Sequence, residues 1–160
     1  MPDFPTTELK PNETTWPKLL SQIHNPPKKL YCRGNLALLN SSCFAVVGTR
    51  KLTNYGKDAT QQIVRDLANG GFTIVSGLAL GVDAVAHQTT LDFGGKTIAV
   101  LGGGVGNGSI GPKTNLPLAQ NILKNNGLLI SEYSDKDKIL PLNFAIRDRI
   151  ISGISVGVLV

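Results

Sequence analysis

The chain has 160 residues, 41% of them apolar, which suffices for one domain with a buried core and excludes wholesale disorder. No apolar run reaches the roughly 18–20 residues of a bilayer span, the start Met1-Pro2-Asp3-Phe4-Pro5 has no signal-peptide character, and Cys32 and Cys43 make neither a disulfide framework nor a zinc set. A cytoplasmic protein is expected, and its net charge of +5 suits a polyanionic partner only mildly, so the placement of the cations decides.

Residues 1–15 are polar and read as an irregular N-terminal tail. Trp16, Leu19, Leu20 and Ile23 have the spacing of a short amphipathic helix, stopped by Asn25-Pro26-Pro27 because proline has no amide and restricts its predecessor. Residues 30–34 read as extended. From there the pattern is regular. Apolar strands at 44–48, 72–75, 97–101 and 128–131 alternate with helices at 55–69, 82–91, 116–124 and 144–151, and a fifth strand begins at Val156. Gly70-Gly71 closes the first of these helices and Asn126-Gly127 the third.

Short strands without polar interruption need cover on both faces, and connections of this length are crossovers. The expected fold is α/β: a three-layer Rossmann-like domain over 16–160, with a mainly parallel sheet and helices on both faces. The last strand has no helix after it, so the domain is expected to lack its C-terminal end.

In such sheets ligands gather outside the carboxyl ends of the strands, and here those ends carry small-residue loops. The first is Gly48-Thr49-Arg50-Lys51-Leu52-Thr53-Asn54-Tyr55-Gly56, in which glycine lets the backbone approach a ligand and Arg50 offers a fork matched to phosphate oxygens. The second, Ser76-Gly77-Leu78-Ala79-Leu80-Gly81-Val82-Asp83, again leads into a helix. The third begins Gly102-Gly103-Gly104 and reaches Lys113. Together they read as a floor for a phosphate chain. Tight turning alone explains any one of them.

Gly106-Asn107-Gly108-Ser109-Ile110-Gly111 fits G-x-G-x-x-G but opens a long loop, which argues against NAD, and no P-loop motif occurs. Ser76, Asp83 and His87 suggest a triad, yet a helix-cap aspartate and a structural histidine explain the latter two more cheaply. Glu132 reads as a sugar-hydroxyl ligand, a cap or an ion-pair partner. Arg147 and Arg149 point about 200° apart on a helix flanked by Phe144, Ile146, Ile150 and Ile151, so one of them can face the strand-end groove. No catalytic residue, metal or cofactor is expected.

The run Gly48-Thr49-Arg50-x-x-Thr53-x-Tyr55-Gly56, followed by Ser76-Gly77-x-Ala79-x-Gly81-x-Asp83-x-x-Ala86-His87 and by 94–102, resembles the DprA/Smf family of natural transformation. So do Trp16-Pro17, Pro26-Pro27-x-x-Leu30-Tyr31-x-x-Gly34, Leu129 to Tyr133, and Phe144-x-x-Arg147-x-Arg149-Ile150-Ile151. The resemblance implies a domain that binds single-stranded DNA with little sequence preference, protects incoming DNA and helps load RecA. Implied partners are single-stranded DNA, RecA and a second copy of the chain.

Carried over by position, Arg50, Lys113, Arg147 and Arg149 would hold phosphates. Gly48, Thr49, Thr53, Tyr55, Ser76, Gly77, Gly81, Gly102, Gly103 and Asn115 would complete the surface. The chain departs from the family where Gly111-Pro112-Lys113-Thr114-Asn115 lacks the usual tyrosine before proline, and where Asp148 replaces asparagine between the arginines. The alternative is a nucleotide-binding or phosphoribohydrolase-like enzyme of the same superfamily. Its P-G-G-x-G-T-x-x-E arrangement is absent after Gly102-Gly103-Gly104.

Overall fold

The computed structural model describes residues 4–160. In chain order its strands are β1 (Thr7–Leu9), β2 (Leu30–Gly34), β3 (Cys43–Val46), β4 (Thr73–Ser76), β5 (Thr97–Val100), β6 (Leu128–Ser131) and β7 (Gly157–Leu159). The helices are α1 (Asn54–Asn69), α2 (Val82–Asp92), α3 (Leu116–Lys124), α4 (Pro141–Ile146) and α5 (Asp148–Gly153). One seven-stranded sheet runs β1-β2-β6-β5-β4-β3-β7. Pairs from β6 through to β7 are parallel, whereas β1 and β2 are antiparallel additions on the β6 side.

Strand alternation sorts the core. Ile98, Val100, Leu128 and Ile130 face the layer of α5 and the N-terminal segment, packing with Trp16, Leu20, Ile150 and Ile151. Ala99 and Leu129 face the other side, against Ile122 and Ala119 of α3, and Ile74 meets Val64 of α1 and Ala86 of α2. Both faces are covered, which is why the strands tolerate unbroken apolar sequence.

Three expectations need correction. The supposed irregular tail contains β1, whose Leu9 is buried opposite Leu30; three residues are too few to show a period in sequence. Residues 1–3 of that tail lie outside the described residues. The entry helix is a 3-10 turn, Lys18–Gln22, and a second such turn, Leu36–Asn40, went unread. The helix expected over 144–151 starts earlier, with Pro141 at its first position, and divides at Arg147 into α4 and α5. No helix among the described residues is long and apolar enough to cross a membrane.

The site follows from the strand order. β3 lies between β4 and β7, with α1 leaving it on one face while α5, which leads into β7, lies on the other. The loops therefore part at the carboxyl end of β3, where an open α/β sheet leaves a crevice.

Candidate functional site

The loop after β3 is held by its own threonine hydroxyls. Thr49 Oγ1 accepts from Lys51 N at 3.1 Å, and Thr53 Oγ1 caps α1 by accepting from Gly56 N at 3.0 Å. Gly48 lies against Val82, so that a Cβ there would come within 2.8 Å of its Cγ2. These contacts leave Arg50, Lys51 and Lys57 exposed around the positive end of a 16-residue helix, with Tyr55 beside them 84% exposed. The ion pairs among the described residues involve other side chains than these cations and Lys113.

The loop after β4 is built from inside. Ser76 Oγ donates to Val46 O at 2.6 Å, tying β4 to β3. The Asp83 carboxylate accepts from Gly77 N at 3.1 Å and Ala79 N at 3.4 Å, which fixes the turn. Burial pushes the Asp83 carboxyl up, and the Arg147 charge opposes this. Gly81 has φ +81°, and any side chain there would run into the Thr49 carbonyl, so this position requires glycine. Asn115 Nδ2 donates to Leu78 O at 2.8 Å and so joins the second loop to the third.

The first part of the third loop is closed by its own chain. A Cβ on Gly102 would stand 2.8 Å from the Phe144 ring, and one on Gly103 2.9 Å from Ile139. Gly106 N donates to Asp135 Oδ1 at 2.8 Å, and Arg33 Nη1 donates to Val105 O and Asn107 Oδ1. These glycines admit protein, and this part of the expected phosphate floor is a packing interface, while Gly111 further along the loop has open space beside it. Arg33 and Asp135 were missed in sequence because neither belongs to a motif.

The arginines divide sharply. Arg147 is 5% exposed; its Nη1 donates to Gly77 O at 2.8 Å and Val100 O at 2.9 Å, and its Nε to Asp148 Oδ1 at 2.8 Å. Asp148 is thus a partner of Arg147. Arg149 makes a two-pronged pair with Glu132, Nη1 to Oε2 at 2.5 Å and Nη2 to Oε1 at 2.8 Å, and also donates to the carbonyls of Asn25 and Ile146. That pairing raises the Arg149 guanidinium further above its usual range. Glu132 is accordingly an ion-pair partner.

Ser76, Gly77, Gly102, Gly103, Asn115 and Arg147 are buried, so the open surface expected of them is corrected: Ser76, Gly102, Gly103 and Asn115 shape the site from beneath, and Gly77 and Arg147 reach its openings only with a small part of their surface. Gly48, Thr49, Arg50, Thr53, Tyr55 and Lys113 are exposed, and Gly81 and Arg149 are half-buried. What remains open is a pocket of about 200 Å³ lined by Arg50, Gly77, Ala79, Leu80, Gly111, Pro112 and Phe144, with Lys113 next in sequence. A second cleft, about 320 Å³, runs from Gly48 and Arg50 to Ala145 and Asp148, with Asp83 and Arg147 also in its lining.

No triad forms. Thr97 Oγ1 donates its proton to Ile74 O at 2.7 Å, so the His87 Nδ1 that meets Thr97 at 2.7 Å must itself be the donor. Its Nε2 is buried without a partner, and burial pushes its pKa down to about 3, so the imidazole is neutral with its proton on Nδ1. Ser76 is directed at a carbonyl and Asp83 at amides.

A family model described as DNA recombination-mediator protein A matches residues 8–160. The chain is 39% identical over 157 residues to the DNA processing protein DprA of Streptococcus pneumoniae, covering 98% of this chain and 54% of that protein. It is 38% identical over 146 residues to the DprA of Bacillus subtilis, covering 91% of this chain and 48% of that one. The chain thus spans about half the length of these curated relatives. The solved structure of the Streptococcus pneumoniae protein superimposes with a TM-score of 0.87 at 38% identity, over 98% of this chain and 53% of that one. A Helicobacter pylori DNA processing protein A, whose structure concerns its single-stranded DNA binding mode, gives 0.84 at 35% identity, over 97% and 68%.

Proposed function

Since the chain belongs to the DNA recombination-mediator protein A family, also called DprA/Smf, we propose that it binds single-stranded DNA along the carboxyl edge of β3, β4 and β5, with Arg50 and Lys113 as its phosphate donors. The observation that carries this reading is Arg50: an exposed side chain lining the pocket, beside the positive end of α1 and without a carboxylate partner among the described residues. A flexible backbone can follow a small pocket of this kind, and the Leu80 and Phe144 walls offer apolar contact to an unstacked base. A duplex keeps its bases stacked and gains little there.

The proposed activity is binding without turnover. The buried, orphaned His87 and the covered third-loop glycines favour it over the phosphoribohydrolase-like alternative, because both lie out of reach of a substrate. The same reading extends to protection of incoming DNA and help in RecA loading within the cytoplasm. It extends also to self-association.

The test is fluorescence anisotropy with labelled oligo-dT and a matching duplex at two salt concentrations. The expected result is tighter binding of the single strand, weakening steeply with salt. Equal affinity for both, or none, would remove the proposal.

A further inference from the structure

We propose that Arg147 is the positioning residue of the Arg50 pocket, acting through the shape of the pocket and not as a phosphate donor; this rests on the single-strand reading above.

Three observations converge on the side chain. It hydrogen-bonds the carbonyls of Gly77 and Val100, and so fixes the ends of β4 and β5 against each other. Its guanidinium fills the space a side chain at Gly77 would need, since a Cβ there would be 2.5 Å from Cζ. It also sits at the joint of α4 and α5, with Cζ 5.8 Å from the centre of the Phe144 ring. Gly77 and Phe144 are two walls of the pocket that Arg50 lines. Asp83 grips the amides of the same turn whose carbonyl Arg147 grips, so the loop is bracketed from both sides.

Only a planar fork serves this arrangement. Two carbonyls and the Asp148 carboxylate are met by N–H groups in one rigid plane, whereas a lysine presents a single ammonium on a flexible stem. Arg147 therefore governs affinity through the shape of the pocket, and its charge is screened from a phosphate by Asp148 and by burial.

A phosphate contact and a positioning contact differ in their salt dependence. Each phosphate neutralised on a single strand adds about 0.7 to the slope of log K against log salt. Arg147→Lys, Arg50→Ala and the double variant are titrated with oligo-dT over a salt series, with circular dichroism as the check on folding. Arg147→Lys is expected to bind about tenfold more weakly with an unchanged slope, and to lose less than threefold when Arg50 is already alanine. A slope shallower by about 0.7, an undiminished affinity, or the same loss in both backgrounds overturns the inference.

Asp148→Ala supplies a second reading at an exposed position, should the lysine variant not fold. It frees the Arg147 Nε yet makes the protein more positive, so weakening of about threefold is expected, and unchanged or tighter binding overturns the inference. Wild-type protein that does not bind oligo-dT would instead bring down the single-strand reading itself, and this inference with it.

Discussion

Two groups of cations lie within one strand-end region and do opposite work. Arg50 lines the pocket and Lys113 follows its Pro112 wall in sequence, both exposed and without carboxylate partners among the described residues, whereas Arg147 and Arg149 are tied into the protein by carbonyls and carboxylates. The residue type is the same for three of the four. What separates them is the acceptor each meets: Arg147 lies under the ends of β4 and β5, where strand carbonyls run out of partners, and Arg149 faces Glu132. An arginine held this way contributes to the fold, and one left free is available to a polyanion.

If that division is right, changes beneath the surface move stability, and affinity only through the shape of the pocket, whereas changes to the exposed cations move the salt-dependent part of binding. The largest expected effect is acidification. The unfolded chain protonates His87 near pH 6.5 and the folded one not until about 3, so stability is lost as the pH falls through that interval, by on the order of 5 kcal/mol. Asp83, raised by burial, holds its proton more tightly when folded and returns part of this loss. Urea denaturation of wild type and His87→Gln between pH 7 and pH 3.5 checks it. The variant should show a visibly flatter profile, and superimposable profiles would refute the assignment.

Next comes Asp83→Ala, which strands two loop amides and leaves Arg147 without its buried counter-charge. A loss of about 3 kcal/mol in urea denaturation is expected, and a loss below 1 would show that the turn holds by itself. Arg149→Met leaves Glu132 half-buried and unpaired and should cost about 2 kcal/mol. Its oligo-dT salt slope should stay unchanged, and a shallower one would place Arg149 on the phosphate side of the division. Smallest in stability is Arg50→Ala, with a denaturation midpoint within error of wild type and several-fold weaker binding of oligo-dT.

The fold was largely legible because buried parallel strands announce themselves as apolar runs, and Ile74-Val75, Ile98 to Leu101 and Leu128 to Ile130 did so. β1 was not, since a three-residue edge strand has no period to read. The candidate site was legible as a location: the strand order puts Arg50 at the crevice that the alternation of elements implied. Its inner chemistry was not. Gly102 and Gly103 look alike whether a phosphate or Phe144 and Ile139 lies against them, and Arg147 looks like any cation until its carbonyl partners, 70 and 47 residues away, are in view. Long-range hydrogen bonds carry that information, and local spacing does not.

The division between exposed and tied cations is tested most directly by the salt dependence of oligo-dT binding for wild type and for the Arg50→Ala/Lys113→Ala double variant. The expected result is a slope shallower by about 1.4, two phosphates' worth, with the thermal midpoint unmoved. An unchanged slope would contradict it, because the phosphates would then be held by other cations than these two.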